Sequence, residues 1–359
     1  MRAVSIFFVL IAHLTGTRNF PGGLHSLAAL GLFGVGVFFV ISGFLITTLL
    51  LKEMAAAGTV SLVQFYKRRI LRLIPAFVVF VGVVAFLAAR GSIVLLPNDL
   101  LHALTYTINY HHPHSWYLGH IWSLSVEEQF YLLWPSALVL LGIRRGLIAC
   151  AAVIALAPFI RSAMHLAWPE NYWMGQHFQA VADSLAIGCL LAGAWNWLHA
   201  QTRFVAFMRS AWFWAIPAVC AVAVALQDRP KIDALIGRSV INTAIALCIF
   251  RWVSFPDTAA GRFLNLAFLR WVGALSYSLY LWQQLFLNRH SEHWANAFPA
   301  NLLLTFGAAV VSYYAIETPF LKLKNKKKTA RPGEPSGKPA RTDPGPSGPG
   351  QASGREALT

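Results

Sequence analysis

Acidic side chains are scarce in this chain: 14 Asp and Glu stand against 29 Lys and Arg, and charged residues make up only 12% of the sequence. A water-soluble domain carries roughly 25%, so this composition excludes an ordinary hydrated surface. Cysteine is scarce too, with four residues at 150, 189, 220 and 248, each alone within or beside an apolar run. No CxxC pair occurs, which excludes a disulfide framework or a zinc ribbon, and the thiols read as small apolar groups. An internal repeat is also missing, and with it the inverted-repeat signature of many transporters.

What is present is apolar. The chain is 57% hydrophobic with a mean hydropathy of +0.56. Runs near the roughly 17 to 25 residues that span a bilayer fall at 2–19, 30–51, 70–89, 121–143, 147–165, 178–198, 211–227, 237–254, 265–287 and 298–316. They predict an all-α, polytopic membrane bundle of about ten transmembrane helices. The first run has the basic start and short apolar core of a signal peptide, but no small-residue cleavage site follows it. It is therefore expected to be a retained helix, and its brevity points to a natural start a few residues upstream.

The net charge of +15 invites a nucleic-acid reading, which its distribution removes. With the N-terminus inside, alternate loops and the tail place 22 of the 29 Lys and Arg on the cytoplasmic side. That asymmetry is the positive-inside pattern, and it predicts both termini in the cytoplasm. After Phe320 the composition turns to lysine and then to Pro, Gly and Ser. Residues 1–320 therefore read as the membrane domain, and 321–359 as a disordered basic tail whose lysines suit anionic lipid headgroups.

Several groups of residues could carry chemistry. Arg2 and His13 stand eleven apart, three helical turns plus about 20°, and so share a face. A rise of about 16 Å predicts Arg2 at the membrane surface and His13 near the midplane, where an ionisable group is costly and points to function. A neutral imidazole there can act as a general base. In the segment Gly34 to Thr47, glycines permit close helix packing, and Ser42 beside Gly43 can line a slot for a thin apolar chain. Arg68, Arg69 and Arg72 crowd one turn, where guanidinium forks suit a polyphosphate. His120 opens a span that carries the adjacent acids Glu127 and Glu128. Asp183 is the other acid placed within a span, and Glu317 ends the last one. The loop from Arg90 to His120, rich in histidine and aromatics, is a polar outer stretch that could cradle a sugar; it lacks the spacing of a helical metal pair.

In this order the Arg2–His13 pair, the segment GVGVFFVISGFLIT, the run FYKRRILRLIP, the block HIWSLSVEEQFYLLWP at 120–135, LSYSLYLW at 275–282 and the closing IETPF resemble the acyltransferase-3 family of bacterial membrane O-acyltransferases. The resemblance covers roughly residues 2–320. It implies transfer of an acyl group, usually acetyl, from cytoplasmic acyl-CoA to a hydroxyl of an exported or surface glycan or a lipid-linked sugar, at the cell's inner membrane and beside glycan-assembly partners. By that resemblance His13 is the catalytic base or transient acyl carrier, and Arg2 positions it or the donor. Arg68, Arg69 and Arg72 hold the CoA phosphates, while Ser42 and Gly43 line the acyl path. His120, Glu127, Glu128 and Glu317 serve the acceptor side or the structure. Acyl-CoA is a substrate, and no bound cofactor or metal is implied. The chain departs from the family pattern at Gln283, where histidine is frequent, and at Val181, where an arginine often precedes Asp183. A polytopic transporter or flippase of a lipid-linked sugar is the competing expectation.

Overall fold

The computed structural model describes residues 1–21, 27, 29–169 and 172–329. It is helical, with no β-strand among the described residues. The principal helices are α1 (Arg2–Leu14), α2 (Ala29–Ala57), α3 (Leu62–Ala89), α4 (Ile121–Ala167), α5 (Phe178–Gly193), α6 (Ala215–Ala225), α7 (Arg238–Ser254), α8 (Ala267–Phe286), α9 (Ala300–Ser312) and α10 (Thr318–Thr329). A π-helical turn, Tyr313–Glu317, joins the last two.

Each apolar run of the sequence lies on a helix. Five helices, Ala29–Ala57, Leu62–Ala89, Trp116–Ala167, Pro230–Ser254 and Ala300–Leu323, are long and apolar enough to cross a membrane. A bent pair, Thr202–Arg209 with Ala211–Ala225, makes up to six. The shortfall against ten has local causes. α1 and α5 are short, and α8 carries serines, tyrosines and glutamines along its core face. Two runs also merge in α4, where Gly142 takes φ 75° and ψ 167°. Trp134 and Leu138 pack against the position of Gly146. In a straight helix twelve residues would separate Trp134 from Gly146 by about 18 Å, so the chain folds back at Gly142 into two antiparallel limbs.

α2 holds the bundle together. It is hydrophobic all round, the pattern of a helix that meets protein or hydrocarbon on every side. Val35, Phe39, Ile46 and Leu50 join the core built on α1, α3, α4 and α8. Val37, Val40, Ile41 and Phe44 join a second core with α6 and α7. Gly34 lets α1 approach, since a Cβ there would strike the Ser5 carbonyl and Val9. Gly43 and Gly188 do the same for α5, each abutting the other helix's backbone.

Two expectations change. The helix α10 runs to Thr329, so the stretch from 321 to 329 is helical where the sequence predicts the start of a disordered tail; the rest of that tail lies outside the described residues. The Arg90–His120 stretch is not simply an outer loop. His120 packs on Phe80 of α3, yet Tyr106 stacks on Phe77, at 4.8 Å and one turn deeper. Thr105, Tyr106 and Thr107 share a cavity wall with Leu73 and Ile74. The loop therefore folds back along α3, and its backbone is satisfied by protein, with Gln129 Nε2 donating to the Tyr106 carbonyl at 2.8 Å. Irregular backbone at depth requires such a partner.

Candidate active site

The expected residues separate into two groups at the two ends of α1. Arg2, half-buried, lines a cavity of about 30 Å³ together with Phe38, Phe39, Ser123, Glu127 and Tyr280. That space holds one or two waters. Ser42 Oγ donates to Glu127 Oε1 at 2.7 Å. The next residue, turned about 100° around the helix, addresses a different partner: Glu128 Oε1 lies 3.5 Å from Arg69 Nε. The Arg69 guanidinium lies 3.1 Å above the Tyr131 ring. Arg68 donates to Glu53 Oε2 at 2.9 Å. Glu317, buried at the end of the π-helical turn, accepts from Ser278 and lies in electrostatic reach of Arg72 and Arg2.

The arginine cluster is thus splayed: Arg68 toward Glu53, Arg69 toward Glu128, and Arg72 toward Glu317. Gly43 is the contact between α2 and α5 and packs on the Leu185 backbone. Ser42 alone of that pair faces the acids.

At the other end, His13 occupies the last turn of α1. Its Nδ1 lies 2.9 Å from the Val9 carbonyl. Only a protonated Nδ1 can donate there, which leaves Nε2 as the acceptor. The ring stands 6.0 Å from Trp116, and Arg289 caps the helix by donating to the Ala12 carbonyl at 3.2 Å. His120 is buried; its Nε2 reaches the Leu281 carbonyl at 3.0 Å, and its Nδ1 has no partner. Gln283 is fully buried with both amide atoms unpaired. Tyr280 links the two groups, lining the Arg2 cavity and donating to the His120 carbonyl at 2.9 Å.

Arg2 and His13 do share a face, both turned toward α4 and α8, but a separation of about 16 Å along α1 keeps them out of contact. α1 packs along the N-terminal half of α2, with Gly31 against Ala12. Arg2 therefore sits at the level of Phe38, with roughly 27 Å of α2 beyond it, while His13 stands near the C-terminal end of α8. Spacing fixes the distance between two residues on one helix; glycine contacts fix that helix's offset against its neighbours.

One buried polar cluster was not foreseen. Arg161 Nη1 lies 2.8 Å from Asp183 Oδ2, and the guanidinium also donates to Ser239 Oγ at 2.8 Å and the Ala234 carbonyl at 3.0 Å. Asn242 Nδ2 donates to the same carboxylate at 3.2 Å. Arg161 thereby neutralises the acid that lacks an arginine at 181. In the outer loop, His111 Nε2 lies 3.2 Å from Asp99 Oδ1, and His112 stacks on Trp173 at 4.9 Å. Burial, ahead of the neighbouring His114, holds the His112 imidazole down at about 4; burial also lowers His114 and His177. Among the described residues no group of three His, Cys, Asp or Glu is arranged to hold a metal ion.

A family model described as an acyltransferase domain matches residues 1–317. The chain belongs to the acyltransferase-3 family. It is 28% identical over 354 residues to the O-acetyltransferase OatA of Staphylococcus aureus strain NCTC 8325, an alignment that covers 90% of this chain and 56% of that protein. A putative O-acetyltransferase of Staphylococcus aureus strain COL is similar at 28% over 355 residues, with the same coverage. The chain thus spans little more than half the length of the curated relatives it matches. No solved structure matches it.

Proposed function

We propose that this acyltransferase-3 chain is an O-acyltransferase of the bacterial inner membrane that moves an acyl group, acetyl foremost, from cytoplasmic acyl-CoA to a hydroxyl of an exported or cell-surface glycan. The observation that carries this reading is the arrangement on α1: a cation-lined inner group and a neutral histidine group on one face, joined through Tyr280. In this reading about ten helices or helix limbs span the bilayer with both ends in the cytoplasm. Residues 1–320 form the acyltransferase domain, and the tail beyond binds anionic lipid.

Arg68, Arg69 and Arg72 grip the CoA phosphates, which replace Glu53 and Glu128 as partners of the forks. The neutral acyl arm passes Arg2, Ser42 and Glu127 toward His13. The Phe38–Tyr280 contact, with ring centroids 6.4 Å apart, must open for it, since about 30 Å³ admits no acyl arm. At His13, Nε2 takes the proton of the acceptor hydroxyl as its oxygen attacks the thioester carbonyl. The tetrahedral intermediate then expels the CoA thiolate, and His13 returns the proton to that sulfur. An ester and free CoA result.

Purified protein in nanodiscs, given acetyl-CoA and a glycan acceptor, is expected to release CoA and form an alkali-labile acetyl ester. Absence of CoA release under conditions where the protein stays monodisperse rejects the reading. Reporter fusions at Ala57 and near Asn296 are expected on opposite sides of the membrane.

A further inference from the structure

At the C-terminal end of α7 stands a buried cation without a counter-ion. Arg251 is 8% exposed, and its Nη1 has no hydrogen-bond partner. Among the described residues it forms no ion pair. Its guanidinium lies 4.3 Å above the Phe213 ring, and it occupies the last turn of the helix, where the dipole favours a cation. A ring face and a helix end attract the charge but do not neutralise it, and a buried charge left unpaired is costly. Arg161, buried to a similar degree, meets Asp183 at 2.8 Å; Arg251 meets no acid. Two further donors within one turn of it, Trp252 Nε1 and Ser254 Oγ, are also buried and unpaired. Buried donors need an acceptor, and here none is supplied by the chain.

The same face of α7 continues into an apolar groove of about 480 Å³. Ile236, Val240, Ala244 and Leu247 form one wall, and Ile216 and Val219 of α6 form the other. Positions 236, 240, 244, 247 and 251 follow one another by four or three residues, so Arg251 closes the stripe that lines the groove. The two hydroxyls in the wall are engaged by protein: Ser239 accepts from Arg161, and Thr243 donates to the Ser239 carbonyl. From Ile236 to Leu247 the groove runs about 16 Å, close to one leaflet, or half of a hydrocarbon core of about 30 Å. Trp212 and Trp214, on either side of Phe213, are exposed in the manner of aromatics at a membrane interface. A charge at head-group depth and an apolar furrow one leaflet long fit two parts of one molecule. We propose that this face of the bundle binds an anionic phospholipid, whose phosphate pairs with Arg251 while an acyl chain lies between α6 and α7. A free phosphate leaves the groove empty, and a zwitterionic lipid brings an ammonium that competes with Arg251. The site requires that the chain span a membrane, and it does not rest on the proposed acyl transfer.

The full chain in detergent is titrated with phosphatidylglycerol or phosphatidylcholine, and bound lipid is counted by native mass spectrometry. The first phosphatidylglycerol is expected to bind about fivefold more tightly than phosphatidylcholine, the value of one basic residue facing an anionic lipid. Arg251→Leu is expected to erase that preference and Arg251→Lys to keep part of it. The lysines beyond Phe320 are the same in every protein, so these variants isolate Arg251. Val219→Trp, at an exposed position in the groove wall, is expected to weaken both lipids while leaving the preference in place. Equal binding of the two lipids by the unaltered protein overturns the site, as does a preference that survives Arg251→Leu or binding undiminished in Val219→Trp. Displacement of the lipid by inorganic phosphate also overturns it, by showing that the anion is recognised without the chain. A protein that binds lipid as expected but releases no CoA keeps the site and rejects the transferase reading.

Discussion

At the Arg2 end of α1 the acids are answered: Glu127 by Ser42, Glu128 by Arg69 and Glu317 by Ser278. At the His13 end the polar atoms are not. His120 Nδ1 and both amide atoms of Gln283 are buried without partners, and among the described residues no carboxylate pairs with either histidine. The difference fits the division of labour proposed for the two ends. A region that must hold a polyanion in place can keep its cations on internal carboxylates and exchange those for phosphate at modest net cost. A region that must take and return one proton gains from a neutral base, since an adjacent carboxylate would hold the imidazole charged.

The sharpest way to break this comparison is to exchange the base for a group that only hydrogen-bonds. His13→Gln is expected to lower turnover by about 10²- to 10⁴-fold, the usual span for a general base, with KM for acetyl-CoA nearly unchanged. Substantial turnover in that variant would make His13 structural. At the inner end the expected pattern is opposite. Arg72→Lys keeps the charge and loses the fork, so KM for acetyl-CoA should rise roughly tenfold, about the value of one charge-assisted bond, while kcat falls less. If kcat fell alone, Arg72 would belong with the chemistry.

A change that spares both ends should separate stability from activity. Arg161→Leu leaves Asp183 buried and unpaired, which costs about 3–5 kcal/mol; thermal aggregation in detergent should come markedly earlier. Gly43→Ala sets a methyl against the Leu185 backbone and should cost about 1–3 kcal/mol by overpacking, read in the same assay. The smallest effect is pH-dependent. His112, held at about 4 by burial, binds its proton more readily in the unfolded loop, where an imidazole titrates near 6.5. Its contribution to loop docking is therefore complete above about 6.5 and lost as pH falls toward 4. Hydrogen exchange across 108–115 should quicken over that window and slow again on return.

Much of the bundle was legible because apolar length and glycine spacing act locally. The runs map onto helices, Gly34 and Gly43 prove to be contact points, and Arg2 and His13 share their predicted face. What failed needed non-local information. The offset of α1 along α2 depends on its glycine contacts, and a polar loop reads the same whether it lies in water or folds back on Phe77. Arg161 and Asp183 meet only because one helix follows another back through the core. The divergence of Glu127 and Glu128 was implicit in helical geometry, but their different partners lie on helices far away in sequence.

Phe38 and Tyr280 have a second duty by virtue of where they meet. They separate a water-sized cavity beside Arg2 from the polar groups around His120. A membrane under voltage stores about 2.3 kcal/mol per elementary charge per 100 mV, and any wetted path through a protein would discharge it. If these rings yield to a neutral acyl arm as proposed, they must still refuse a hydrated ion, which makes them electrical insulation as well as a gate.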